Sequence, residues 1–296
     1  MKRIIMLAVV LVMALGAAAW TLGAEAKAGK ENKPVLALTT EETENQLVFR
    51  NGPEGKYGPS DFVVLDKNEV LILDAVAKRV QRFKDNNLTA TINLNAVDGE
   101  LFLLETVNGY AYALGKEQLA EIDLTNNEVI WYDFPENEEA MGGLGLYVYD
   151  MTVRENQLVM ITGSFGNYTV NREAGQIVKT ALGYTAFFDG NGIDVYEAGK
   201  SWNPKEIGTT MDVLQLREDG SILVQAVKFS GSISAKDYLT VRDYSPEGEV
   251  RAQTNIDING WKTIPRRFAK VYNGELYLLV MTNEGTTVSR LDMEAK

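Results

Sequence analysis

Residues 58–83 read GPSDFVVLDKNEVLILDAVAKRVQRF, and this stretch decides the fold. It alternates turn residues with short hydrophobic runs in the order turn, strand, turn, strand, loop, strand. Runs of this length that are bounded by Gly, Pro, Asn and Asp are typical of β-strands. Because the turns between them are short, the stretch predicts an antiparallel sheet that is formed within one local segment.

The same stretch resembles an NHL repeat, a blade unit of β-propeller proteins. In that repeat a Gly-Pro pair precedes a hydrophobic strand, a polar turn leads into a second strand that ends in Asp, and Arg-Val-x-x-Phe follows. The matching residues are Gly58, Pro59, Val64, Asn68, Val70, Leu71, Asp74, Arg79, Val80 and Phe83. The resemblance implies a propeller fold in which Arg79 pairs with a neighbouring carboxylate.

Similar strand-turn-strand units begin near residues 62, 101, 149, 213 and 268. Third-strand candidates follow them at 80–83, 119–124, 185–188, 238–244 and 287–291, and fourth-strand candidates at 86–94, 126–132 and 190–196. Four strands in a repeat of roughly 40–50 residues are typical of propellers. We therefore predict an all-β chain with one β-propeller of four-stranded antiparallel blades at 34–296. A β-sandwich or two unrelated β domains are the alternative.

Two further strand candidates, 35–39 and 46–49, precede the first unit. They could complete the last blade, which would close the ring by pairing the two ends of the chain and so remove open sheet edges. Alternatively they belong to a degenerate sixth blade, because the sequence ENQLV at 44–48 recurs at 155–159. The sequence thus predicts five blades and leaves a sixth open.

Residues 1–26 have the features of an export signal. Lys2 and Arg3 precede an uncharged apolar run at 4–19, and the A-x-A pattern at 24–26 predicts cleavage after Ala26, with 17–19 as a second site. An uncleaved anchor is the alternative, because the run approaches the ~18 residues that indicate a membrane span. A polar junction at 27–33 follows. We expect a secreted or cell-envelope protein, or a single-pass membrane protein with its domain outside.

The chain contains no cysteine and no histidine. This excludes disulfides, thiolate and His-ligated metal sites, and Cys-His or Ser-His-Asp catalysis. Propeller enzymes such as amidating lyases, lactonases and streptogramin lyases use essential histidines by family resemblance, so their mechanisms do not transfer. The formal net charge of −12 argues against nucleic-acid partners, since it repels phosphate backbones.

The loops that lead into the blades lie together on one face of a propeller. Here they carry aromatic and cationic side chains, which suit sugars, peptides or small anions. The candidate ligand-binding residues are Tyr57, Tyr147, Trp202, Trp261, Arg266 and Arg267. Lys56, Tyr149 and Lys205 lie in the same loops. Alternatively, the aromatic rings pack between adjacent blades.

Four carboxylates lie at strand ends near these loops, Asp61, Asp74, Asp150 and Asp212, and the metal-ligand candidates among them are Asp61, Asp150 and Asp212. If they converge, they could hold calcium or act as an acid/base pair. The alternative is that each accepts N–H bonds in its own turn. The sequence DGNGID at 189–194 also offers oxygen ligands, but it lacks EF-hand spacing, so we interpret it as a hairpin turn.

Together these patterns predict an exported, non-enzymatic propeller that binds a protein, a peptide or a cell-envelope polymer through its loop face. It would need no cofactor and would touch a membrane only through an uncleaved N-terminal segment. One alternative is a calcium-dependent hydrolase or lyase that uses carboxylates at the channel mouth. Another is a membrane-anchored extracellular sensor or scaffold.

Overall fold

A computed structural model describes residues 34–52, 55–95, 100–136, 144–188, 193–197, 200–202, 209–228 and 238–295. The predicted signal or anchor and the polar junction lie outside these residues. The described part is an all-β propeller with five four-stranded antiparallel blades, as the sequence predicts. None of its helices combines the length and the apolar character that a membrane span requires.

Each blade runs outwards from the centre of the ring. Blade 1 consists of Asp61–Asp66, Glu69–Asp74, Arg79–Lys84 and Asn87–Asn93. Blade 2 consists of Leu101–Val107, Tyr110–Gly115, Gln118–Asp123 and Val129–Asp133. Blade 3 consists of Asp150–Arg154, Gln157–Ile161, Asn167–Asn171 and Gln176–Thr180. Blade 4 consists of Thr209–Leu216, Ile222–Lys228, Tyr238–Tyr244 and Val250–Asp257, with the short strand Glu294–Ala295 at its outer edge. Blade 5 consists of Ala269–Tyr272, Glu275–Thr282, Gly285–Arg290 and Leu36–Thr39.

The blades form a closed ring. The first strand of each blade lies against the first strand of the next, and that of blade 5 lies against that of blade 1. Hydrophobic residues fill the seams between blades; Leu71 and Leu73 of blade 1, for example, pack with Leu104 and Ala113 of blade 2. The first strands therefore surround a central channel, and the core lies between the sheets.

The N-terminal strand closes the ring. Leu36–Thr39 pairs antiparallel with the third strand of blade 5, with Leu36 opposite Val288 and Thr39 opposite Gly285. This confirms that the two ends of the chain share one blade, and the ring has five blades rather than six.

The strand predicted at 46–49 is wrong. The chain forms the helix Thr40–Gln46 instead, because Thr39 and Glu42 make a capping box at its start. The Thr39 backbone N–H donates to Glu42 Oε2 at 2.8 Å, and the Glu42 N–H donates to Thr39 Oγ1 at 3.3 Å. Leu47 then ends the helix and is buried. A hairpin of Arg50–Gly52 and Gly55–Tyr57 leads on to blade 1.

The outer strands predicted for blade 3 are also wrong. Asn167–Asn171 and Gln176–Thr180 complete the blade, and their turn is held by a bond from the Ala174 N–H to Asn171 Oδ1 at 3.1 Å. Thr185–Phe188 and Ile193–Glu197 form a separate sheet with Lys200–Trp202. Phe188 pairs with Ile193 across residues 189–192, which agrees with the hairpin interpretation, although those four residues lie outside the described part.

The role that the NHL resemblance implies for Arg79 is confirmed. Its guanidinium lies 2.9 Å from Asp74 Oδ2 and donates to the Gln46 carbonyl at 2.6 Å. Burial raises the pKa of Asp74, against the charge of Arg79, which lowers it. Since Gln46 ends the N-terminal helix, this pair ties that helix to blade 1.

Candidate functional site

Charged side chains meet at the end of the channel where the first strands begin. Asp61 and Asp150 open the first strands of blades 1 and 3, Asp212 lies in that of blade 4, and Arg267 and Lys270 lie at the start of blade 5. All three carboxylates act electrostatically on Arg267. We call these five residues, together with Gln225, the channel cluster.

Arg267 and Asp150 form a buried ion pair within the cluster. The Arg267 guanidinium contacts Asp150 Oδ1, the Tyr184 hydroxyl donates to Asp150 Oδ2, and the Arg267, Asp150 and Tyr184 side chains are all buried. Burial lowers the pKa of Arg267. The negative charges of Asp150, Asp212 and Asp61 raise it by more, so the Arg267 pKa is raised overall. Burial and then the nearby Asp150 raise the pKa of Tyr184 well above its usual value. Arg267 therefore stays charged and Tyr184 stays a hydrogen-bond donor.

Asp61 joins three blades. It accepts the N–H groups of Phe62 and Leu104, both at 2.7 Å, and its Oδ2 lies 3.4 Å from Lys270 Nζ. Lys270 also donates to the Leu104 carbonyl at 2.7 Å and lies 3.3 Å from Glu105. Burial raises the pKa of Asp61 to about 6, although Lys270, Arg267 and the two N–H bonds lower it.

Gln225 connects blade 4 to blade 5. Its Nε2 donates to Asp212 Oδ2 at 3.1 Å and to the Arg266 carbonyl at 2.8 Å, and its Oε1 accepts the Ala269 N–H at 3.2 Å. The three predicted metal-ligand candidates thus bond to separate protein donors. In the described ranges, no three acidic side chains are grouped as a metal ion requires. Calcium binding by Asp61, Asp150 and Asp212 stays a prediction.

Three side chains at the same end of the channel are exposed, Leu146, Tyr149 and Arg266, and we call them the channel mouth. Arg266 donates to the Val148 carbonyl at 3.3 Å, and its guanidinium carbon lies 5.5 Å from the centre of the Phe102 ring. No described carboxylate forms an ion pair with it. Desolvation by the surrounding protein, helped by Arg267, lowers the pKa of Arg266 against the opposing effect of Asp212.

The predicted binding residues have different environments. Arg266 is exposed, whereas Arg267 is 2% exposed within the channel cluster. Tyr147 packs edge-on against Phe165, with ring centres 4.9 Å apart, in the seam between blades 2 and 3. Trp261 packs in the seam between blades 4 and 5.

Two further predicted residues belong to short strands outside the five blades. Tyr57 is partly buried, with the Arg50 guanidinium 5.9 Å from its ring centre. Trp202 lies in the strand Lys200–Trp202, and its side chain is outside the described part. Ligand binding by the six predicted residues stays a prediction, and of these only Arg266 belongs to the channel mouth.

Sequence reasoning missed Lys270, Gln225, Tyr184 and Leu146. Two of these carry a readable signal, because a single polar residue interrupts an apolar strand: Lys270 in FAKVY at 268–272 and Gln225 in LVQAV at 223–227. Buried polar residues of this kind need hydrogen-bond partners, and the channel cluster supplies them. Leu146 has no comparable signal, since a lone Leu in a loop is common on protein surfaces.

A cleft lies at the opposite ends of the first strands. It is a cleft of about 220 Å³ between blades 4 and 5, lined among others by Gln215, Arg217, Leu223, Glu275 and Met293. Its charged residues are already paired: Arg217 lies 2.7 Å from Asp243, and Arg290 lies 2.6 Å from Glu275.

No protein-family model and no curated protein matches this chain. Among solved structures, a member of the DUF4221 family from Bacteroides vulgatus has a TM-score of 0.53 at 9% identity and covers 85% of this chain and 99% of that one. Virginiamycin B lyase from Staphylococcus aureus, as a catalytically inactive variant with quinupristin, has a TM-score of 0.49 at 11% identity, covering 83% and 99%. PorZ, a surface component of the type-IX secretion system of Porphyromonas gingivalis, has a TM-score of 0.43 at 10% identity, covering 80% and 38%. At these identities the likeness concerns the fold alone.

Proposed function

We propose that this chain is an exported binding module that holds a protein, peptide or cell-envelope ligand at the channel mouth without making or breaking a bond. One observation carries the proposal. Within the channel cluster, two ion pairs are buried, Asp150 with Arg267 and Asp61 with Lys270, whereas Leu146, Tyr149 and Arg266 at the same end of the channel are exposed. A ligand that approaches this end of the channel therefore meets the channel mouth first.

Export is supported by the sequence of residues 1–26, which has a positive start, an apolar run and an A-x-A pattern. A membrane-anchored form would hold the same domain outside the cell. The partner classes follow from the side chains at the mouth, because an aromatic ring beside a cation suits peptides and polymers that carry both apolar and polar groups.

A second candidate function is a hydrolase or lyase that uses the channel carboxylates. The pKa of Asp61, raised to about 6 by burial, favours it, because a group that titrates near neutral pH suits general acid–base catalysis. However, a catalytic acid or base must reach a proton of the substrate. Asp61 is 0% exposed, and its oxygens already accept the N–H groups of Phe62 and Leu104. We therefore place this function second.

The proposal is tested by a thermal-shift screen of the purified protein with peptides, sugars, cell-wall fragments, calcium and EDTA. A ligand at 100 times its dissociation constant adds about 2.7 kcal/mol to the free energy of unfolding, a rise in melting temperature of about 5 °C or more for a domain of this size. Mass spectrometry of each stabilising compound after incubation shows whether it has been cleaved.

Two matched variants locate the binding site. Tyr149→Glu places a charge at the channel mouth, and Ile130→Glu places the same charge on an exposed apolar residue of the outer strand of blade 2. We expect the first variant to abolish the shift and the second to retain it, with the ligand recovered intact. A shift that survives Tyr149→Glu, or a cleaved compound, would contradict the proposal.

A further inference from the structure

We infer that the ligand of the channel mouth presents a carboxylate beside an apolar group, with Arg266 binding the carboxylate and Leu146 and Tyr149 contacting the apolar part. The inference rests on the proposed function, because it names the ligand chemistry of the same face. The cations at this end of the channel differ in whether they form ion pairs.

Arg266 is the cation there that lacks an ion pair with any described carboxylate. Arg267 is paired with Asp150, and Lys270 is paired with Asp61 and Glu105. Desolvation by the surrounding protein lowers the pKa of Arg266, although Asp212 raises it, so an incoming anion would stabilise the charged guanidinium.

The Arg266 guanidinium is held in place but has donors to spare. Its contact with the Phe102 ring and its bond to the Val148 carbonyl fix its position. A guanidinium has five N–H donors in a planar fork that matches the two oxygens of a carboxylate. Within the described part of the chain, one protein acceptor takes a bond from this side chain. Because the guanidinium is already held in place, its side chain loses less conformational entropy when it binds a planar anion than a mobile side chain would.

The charge around Arg266 favours a single negative charge on the ligand. The acidic side chains at this end of the channel are at least as many as the basic ones, so there is no excess of positive charge. The acidic side chains are Asp61, Asp150, Asp212 and Glu105, and the basic ones are Arg266, Arg267 and Lys270. A phosphate polymer gains its affinity from several cations at once. One guanidinium above a network of acids suits a monoanion, and a carboxylate is the monoanion that peptides and cell-envelope polymers share.

The segment that accepts the bond from Arg266 carries two exposed apolar side chains. Leu146 and Tyr149 are 45% and 38% exposed, and they lie two residues before and one residue after Val148, whose carbonyl accepts that bond. Exposed large hydrophobic residues beside a fixed charge mark interaction sites more often than scattered ones do. The geometry therefore favours a carboxylate with an aromatic or aliphatic group a few bonds away.

The test compares two probes that differ only at the anion, N-acetylphenylalanine and its primary amide, by NMR titration of the full chain. We expect the carboxylate form to bind at least tenfold more tightly than the amide. Arg266→Gln should remove this preference and leave the unfolding midpoint unchanged. The control Arg251→Gln changes an exposed arginine on the outer strand of blade 4 and should keep the preference.

Three results would overturn the inference: equal binding of the two probes, a carboxylate preference that survives Arg266→Gln, or inorganic phosphate that competes as well as the carboxylate. If both probes bind equally and Tyr149→Glu abolishes both, the inference fails while the proposed function stands. If neither probe binds and no compound of the thermal-shift screen depends on Tyr149, both fail.

Discussion

Arg266 and Arg267 are adjacent in the chain and have opposite environments. Arg267 is 2% exposed and bonded to Asp150, whereas Arg266 is exposed and rests on Phe102 without a described carboxylate partner. The two side chains take different partners, because Arg267 donates to Asp150 whereas Arg266 donates to the Val148 carbonyl. One arginine therefore stabilises the ring from inside, and its neighbour faces the solvent at the channel mouth.

The two arginines should differ most in how much the free energy of unfolding falls when each charge is removed. Arg267→Met leaves Asp150 buried without its cation, and breaking a buried pair in this way costs about 3–5 kcal/mol. Arg266→Met should change the free energy of unfolding by less than about 0.5 kcal/mol, as for most exposed substitutions. Urea unfolding of both variants measures the difference. Equal losses would show that the two arginines do not divide into a structural and an exposed one.

A second prediction uses pH to test the burial of Asp61. Its pKa is raised to about 6 in the folded state from the ordinary 3.8, so the folded protein holds this proton more tightly than the unfolded chain. The stabilisation is fully present below pH ~4 and is lost as the pH rises through about 6, a decrease of about 3 kcal/mol. The stability difference between wild type and Asp61→Asn should fall by about this amount between pH 4 and pH 7 in urea titrations.

Asp219 provides a control of opposite sign for this experiment. It is exposed, and hydrogen bonds from Ser221 lower its pKa, so its contribution is present at neutral pH and is lost as the pH falls. The difference between wild type and Asp219→Asn should therefore rise with pH. A difference for Asp61→Asn that also rises with pH would mean that Asp61 ionises readily and is not held in the cluster as described.

The smallest expected effect is the difference in stability loss when the hydroxyl is removed from each of two tyrosines. Tyr184→Phe removes a buried donor to Asp150 and should cost about 1–3 kcal/mol, because a charged acceptor is left with one partner fewer. Tyr149→Phe alters an exposed ring at the channel mouth and should cost less than about 0.5 kcal/mol. Thermal unfolding of both variants checks this. A cost for Tyr149→Phe as large as that for Tyr184→Phe would place both tyrosines in the structural network.

The fold was predictable where strands carry enough hydrophobic residues to stand out from their turns. Blade 1 has such strands throughout 58–83, and its boundaries followed from the sequence. The outer hairpin of blade 3, Asn167–Asn171 with Gln176–Thr180, has a solvated outer strand and few apolar residues, so the more hydrophobic segment at 185–188 was assigned in its place. The helix Thr40–Gln46 was missed although its Thr-x-x-Glu capping box is visible in the sequence.

The site was predictable in its position and only partly in its residues. The starts of the first strands do gather Asp61, Asp150, Asp212 and Arg267 at one end of the channel. Which side chains are buried there depends on how neighbouring blades meet, and no local pattern records that. Arg267 was assigned to a ligand together with Arg266, because two adjacent arginines look alike until the ring is closed.

The central claim, that the channel mouth binds a ligand while the channel cluster holds the ring together, is tested most directly by a crystal structure with N-acetylphenylalanine. We predict the carboxylate at hydrogen-bonding distance from the Arg266 guanidinium, about 2.7–3.2 Å, the ring against Leu146 and Tyr149, and Arg267 still bonded to Asp150. A ligand in the cleft lined by Gln215 and Glu275, or one that displaces Asp150 or Lys270 from its partner, would contradict it.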